Sequence, residues 1–135
     1  MELSPEARLT AGILLLSIVA VQSGGLYMYA ALRKRVALTP FQQAFARAGH
    51  AHAGVLVILS LIIQVYADAA ALDGAVGWLA RGAVPVAAIL MPAGFFFSSM
   101  GEGRTAPNRL IWLLWAGAVS LALGVVALGL GLLTG

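Results

Sequence analysis

The sequence predicts an all-α, polytopic membrane protein, an antiparallel bundle of four transmembrane helices, and three observations predict it. The 135 residues are 61% apolar and only 10% charged, where soluble domains carry about 25% charge. Mean hydropathy is +0.97, more greasy surface than a single 13.9 kDa core can hide from water. The apolar residues also fall into four stretches, 9–32, 41–66, 75–100 and 109–133. Each reaches the roughly 20 residues that a helix needs to cross the hydrocarbon core.

The first stretch, from Leu9 to Leu32, follows a leader carrying Glu2, Glu6 and Arg8. A mixed-charge leader and a run continuing past any small-residue cleavage point predict a retained helix, not a secretion signal. The second stretch follows Thr39-Pro40, an N-cap residue and a residue suited to the first helical position, so a helix is expected to begin there. The third carries Pro85 and Pro92. It should kink, and the carbonyls those prolines free need Ser98, Ser99 or a neighbouring helix to reach them. The fourth runs from Arg109 to Leu133. Tyr27, Tyr29, Trp78 and Trp112 stand near span ends, as interfacial aromatics do. Gly24, Gly25, Gly49, Gly54, Gly94, Gly117 and Gly124 are the small residues that let helix backbones approach in lipid.

Charge predicts orientation. Arg33, Lys34 and Arg35 lie in the first connection and Arg104 in the third, with Arg109 just beyond, whereas the second holds Asp68 and Asp73. Basic turns stay cytoplasmic. This places the turns at 33–40 and 101–108 inside and both termini outside, with Asp68 and Asp73 as solvated residues bounding the second and third spans. The net charge of +3 is too small and scattered for a nucleic-acid partner. The absence of cysteine excludes disulfides and thiolate metal sites.

The segment 24–58 can be laid on 93–126, pairing Thr39-Pro40 with Ala106-Pro107 and Ala48-Gly49 with Ala116-Gly117. Such a duplication would give two helical hairpins of like orientation, while a chance match of Ala, Gly and Leu is the competing reading. The halves differ in polarity. Gln22, Arg47, His50 and His52 fall opposite Met91, Trp115, Ala118 and Ser120, so chemistry is expected in the first hairpin and packing in the second.

On a 3.6-residue period Gln43, Arg47, His50, Gly54 and Gln64 share a band of the second span about 100° wide. Charged groups in hydrocarbon cost about 2.5–3.5 kcal/mol on insertion scales, so this band should face the bundle interior or a wet cavity. His50 lies roughly 15 Å in from Pro40. Gln22 reaches a similar depth on the first span, and a Gln22–His50 hydrogen bond is expected. Arg47 can snorkel toward the cytoplasmic side. His52 points about 200° away from His50, toward Phe41, Phe45, Leu56, Leu59 and Ile63.

The run Phe45-Ala46-Arg47-Ala48-Gly49-His50-Ala51-His52-Ala53-Gly54-Val55-Leu56 resembles small four-helix integral membrane proteins of bacteria, which share an Arg-Ala-Gly-His-Ala-His-Ala-Gly core after a basic turn. The resemblance implies a four-helix fold in the cytoplasmic membrane and supplies no activity. His50-Ala51-His52 is also similar, over that short stretch, to a histidine-bearing helix of the haem-copper oxidase and nitric oxide reductase catalytic subunits, whose histidines ligate haem and metal.

Three functional classes follow. Small-solute or proton translocation is favoured narrowly, with Gln22, Gln43, Arg47, His50 and Gln64 along a polar path and a homo-oligomer completing it. A haem or transition metal, not favoured, would need His50 or His52 from several protomers, because two divergent histidines cannot converge on one ion. A ligand-binding or accessory role, holding a small molecule or lipid headgroup or docking on a larger membrane complex, is the third. Catalysis has least support, since no cysteine, intramembrane acid or serine–histidine–carboxylate set is evident.

Overall fold

The computed structural model of the chain describes residues 2–134. It contains helices α1 (Pro5–Leu32), α2 (Pro40–Ala69), α3 (Gly74–Ser99) and α4 (Trp112–Thr134), with a 3-10 turn at Arg109–Ile111 leading into α4. All four are long and apolar enough to cross a membrane. The chain is a multi-pass, all-α membrane bundle.

Local chemistry sets the helix ends. Ser4 Oγ accepts from Ala7 N at 3.2 Å ahead of Pro5, so α1 starts four residues before the apolar run at Leu9. Thr39 caps α2 as expected, in a full capping box. Its Oγ1 accepts from Gln42 N, and Gln42 Oε1 accepts from Thr39 N at 3.1 Å. Asn108 Oδ1 accepts from Leu110 N at 2.8 Å and so caps the turn before α4.

Each helix packs mainly against its chain neighbours. The α3–α4 seam is closest. A methyl group at Gly117 would stand 2.5 Å from Met91 Cγ, and one at Gly124 would stand 2.8 Å from Val84 Cγ2. Gly94 likewise abuts the backbone of Leu114. Gly54 departs from expectation, because it faces open space. Ile63 and Ala67 of α2, Ala80 and Val84 of α3 and Leu128 of α4 form the core. By contrast α1 packs on α2 and buries only Ala7 and Leu14. Most of its remaining large apolar side chains, Leu16 and Leu26 among them, are exposed and suit lipid. The two hairpins are thus unlike in packing, one tight and one loose.

The ends of the bundle are also joined differently. At the basic end Thr39 Oγ1 donates to the Arg104 carbonyl, and Gln42 Nε2 donates to the carbonyls of Ser99 (3.0 Å) and Gly101 (2.7 Å). These bonds tie the two basic turns together. At the other end Ser4 N and Oγ donate to the Asp68 carboxylate at 2.7 and 3.0 Å, pinning the start of α1 to the last turn of α2.

Pro85 and Pro92 both lie inside a continuous α3. Pro85 has no N–H to offer the carbonyl of Arg81, four residues earlier. Gln64 Nε2, from α2, donates to that carbonyl at 3.0 Å. The neighbouring helix therefore supplies the missing bond, while Ser98 and Ser99 bond to Phe95 and Phe96 of their own helix.

Candidate functional site

His50 lies on the face of α2 covered by α1, and its ring rests on two glycines. A Cβ at Gly24 would stand 3.3 Å from His50 Nδ1, and one at Gly25 would stand 3.5 Å from Cε1 and 3.7 Å from Nε2. A methyl at Gly24 would push the imidazole by a few tenths of an ångström, one at Gly25 would touch it in ordinary van der Waals contact, and a longer side chain at either position would crowd the ring. The Gly24-Gly25 pair is therefore a seat for the histidine as well as a helix contact.

Next to this seat, a cleft of about 370 Å³ opens between α1 and α2. Gln43, Arg47 and His50 line it from α2, while Gly25, Met28 and Tyr29 line it from α1. Gln43 Nε2 donates to the Leu38 carbonyl at 3.1 Å, which fixes that side chain at the mouth. Neither Arg47 nor His50 has a hydrogen-bond or ion-pair partner among the described residues, and Arg47 is exposed. The Arg33 guanidinium stands over the Tyr29 ring, 5.9 Å from its centroid, so a second cation adjoins a residue that lines the cleft. Three of the five residues expected in one site meet here.

The other two do not join them. Gln22 is exposed and makes no hydrogen bond to His50; the contact expected from matched depth fails because α1 presents Gly24 and Gly25, not Gln22, to the imidazole. Gln64 lies four turns further along α2, roughly 21 Å from His50, and it faces α3 at the Arg81 carbonyl. A 100° band running from Gln43 to Gln64 meets different neighbours at its two ends, so shared angular position does not make a shared site.

His52 faces the opposite way, as expected. Its Nδ1–H donates to the Ala48 carbonyl at 2.7 Å, and its ring lies 4.9 Å from that of Phe95 on α3. Phe45 meets the same Phe95 edge-on at 5.4 Å. This histidine packs between α2 and α3, so His50 and His52 cannot share one ion within a chain.

A second polar centre escaped the sequence reading. Asp68, expected to be solvated, has a side chain only 7% exposed. It accepts from Arg81 Nη2 at 2.7 Å besides the two bonds from Ser4. Arg81 Nη1 donates to the Leu72 carbonyl at 2.7 Å. Gln64 Oε1 and Arg81 Nε are buried there with no partner among the described residues. Asp68 thus belongs inside α2, which runs on to Ala69. The available signal was Arg81, a cation two turns into an apolar span, which requires a carboxylate nearby. A cavity of about 630 Å³ adjoins this centre between Ser4, Glu6 and Thr10 of the α1 end and Trp78, Arg81 and Pro85 of α3.

The arrangement can hold a ligand from two sides of α2, and among the described residues it brings no nucleophile into hydrogen-bond contact with a histidine. His50 has no carboxylate or hydroxyl bonded to it, and the buried carboxylate at Asp68 is committed to Arg81 and Ser4. Among the described residues no group of three or more histidine, cysteine or acidic side chains stands close enough to hold a metal ion. Comparison of the chain with protein-family models, with curated proteins and with solved structures finds no match.

Proposed function

We propose that the protein is a membrane-embedded binding protein that takes an amphipathic ligand into the cleft between α1 and α2. One observation carries the reading: Arg47 and His50, neither with a hydrogen-bond partner among the described residues, stand together with Gln43 in a largely apolar cleft between α1 and α2. Polar groups left unpartnered at membrane depth cost free energy, and a ligand that satisfies them recovers it. Met28, Tyr29 and Leu32 supply the apolar wall that such a ligand needs. The likeness to small four-helix membrane proteins of bacteria agrees with this architecture and adds no activity.

Translocation is less well supported. Along α2 the polar stripe turns from the α1 cleft at His50 to the α3 seam at Gln64, with buried Leu56, Val57 and Ile63 between. A continuous path would need a second copy of the chain. A haem or metal would likewise need His50 from more than one protomer.

The test is extraction. Wild-type protein purified in mild detergent should carry an amphiphile that solvent extraction and mass spectrometry recover in near-stoichiometric amount. Gly25→Leu, which fills the cleft, should lose it at unchanged helix content. Equal recovery from both proteins would refute the binding reading. A flux assay on liposomes in which wild type conducts and His50→Ala does not would move the assignment to translocation.

A further inference from the structure

We propose that the α1–α2 cleft selects an anionic phospholipid of the leaflet at the basic end, with its phosphate at Arg47 and an ester carbonyl at His50. The proposal rests on the cleft being a binding site and names the class of molecule that fills it.

Charge argues for the phosphate. Of eight lysines and arginines in the chain, six (Arg33, Lys34, Arg35, Arg47, Arg104 and Arg109) belong to the basic end, which holds only Glu102 of the five acids. Among the described residues no carboxylate neutralises Arg47, and the Arg33 guanidinium stands over Tyr29, which lines the cleft. A guanidinium without a partner beside an apolar wall matches a phosphodiester joined to acyl chains.

Depth argues for the order of contacts. α2 has 30 residues, about 45 Å of helix against a hydrocarbon core of about 30 Å. Centred in the bilayer, it leaves about five residues in the headgroup region at each end. Arg47 then starts just below that boundary and extends back into it, at the level of phosphate. His50 is three residues deeper, about 4.5 Å, and thus about 7.5 Å inside the boundary, but its side chain leans back toward the helix N-terminus and so toward the glycerol esters. An ester carbonyl can only accept, and either imidazole nitrogen bearing a proton can donate to it. One acyl chain would follow Met28 and Gly25 along α1.

Spin-labelled phosphatidylglycerol and spin-labelled phosphatidylcholine, each added to the intact protein in phosphatidylcholine vesicles, measure the preference directly. Wild type should favour phosphatidylglycerol about fivefold, the effect of one interfacial cation. Arg47→Gln should bring the ratio to about one, with Arg109→Gln, outside the cleft, leaving it within about twofold of wild type. His50→Ala should weaken both lipids together. Soluble glycerol 3-phosphate should not displace the labelled lipid; displacement would assign the site to free phosphate and overturn the proposal.

The two levels of inference fail separately. If decylubiquinone, a neutral amphiphile, competes in wild type but not in Gly25→Leu, and the two phospholipids bind equally, the cleft is a binding site and the phospholipid assignment is wrong. If neither phospholipid nor decylubiquinone responds to Gly25→Leu, the binding reading itself falls.

Discussion

Gln64 shows how one side chain can serve the backbone of a neighbouring helix. Its amide donates to the carbonyl that Pro85 leaves open at Arg81, so the two residues form an energetic unit 21 positions apart. Gln64→Leu should destabilise the protein by about 1–2 kcal/mol, the cost of an unsatisfied buried carbonyl. Pro85→Ala gives residue 85 an N–H and lets α3 bond its own carbonyl. In that background Gln64→Leu should cost well under half as much. Denaturation of the four proteins in the same detergent measures the coupling by a double-mutant cycle. Additive effects would mean that Gln64 acts elsewhere, at its unpartnered Oε1 for example. The sequence could reveal Thr39 as a cap because capping is local, whereas the partner of Gln64 depends on how two helices cross. The same holds for Asp68, whose burial requires Ser4 and Arg81 to arrive from other elements.

At the scale of helices, the span count and approximate limits were legible because lipid imposes a length and a composition on each one. Which faces meet was only partly legible. Gly94, Gly117 and Gly124 form the tight α3–α4 seam, yet Gly54, of the same type and on the polar stripe, touches nothing within 4 Å. Small size permits close approach and does not direct it. Gly117→Leu forces a side chain against Met91 and should cost about 1–3 kcal/mol through overpacking. Gly54→Ala adds a methyl into open space within α2 and should stabilise the protein by about 0.5–1 kcal/mol, the helix preference of alanine over glycine. Unfolding midpoints of both variants in one detergent provide the comparison. A Gly54→Ala protein as damaged as Gly117→Leu would place an unseen partner on α2 at that position. The candidate site followed the same logic. His50, Arg47 and Gln43 were recognisable as polar residues in hydrocarbon, but that α1 would offer glycines to the imidazole, not Gln22, depended on the rotation of α1.

For the whole molecule, the two basic turns share one end, linked through Thr39, Gln42, Ser99, Gly101 and Arg104, and the start of α1 meets the acidic turn at the other. An even number of spans then puts both termini on the side of Asp73. The positive-inside rule predicts that the end rich in lysine and arginine stays in the cytoplasm, the side whose leaflet is enriched in anionic lipid. The absence of native cysteine allows a direct measurement with single-cysteine variants at Arg35, Thr105 and Asp73, all exposed. A membrane-impermeant maleimide applied to intact cells should label Asp73→Cys and spare Arg35→Cys and Thr105→Cys until the membrane is opened. Labelling of the two basic-turn variants alone would keep the four spans and reverse their orientation, putting the Arg47 cleft in the outer leaflet. Labelling of Arg35→Cys together with Asp73→Cys would mean that α2 does not cross, because those residues flank it.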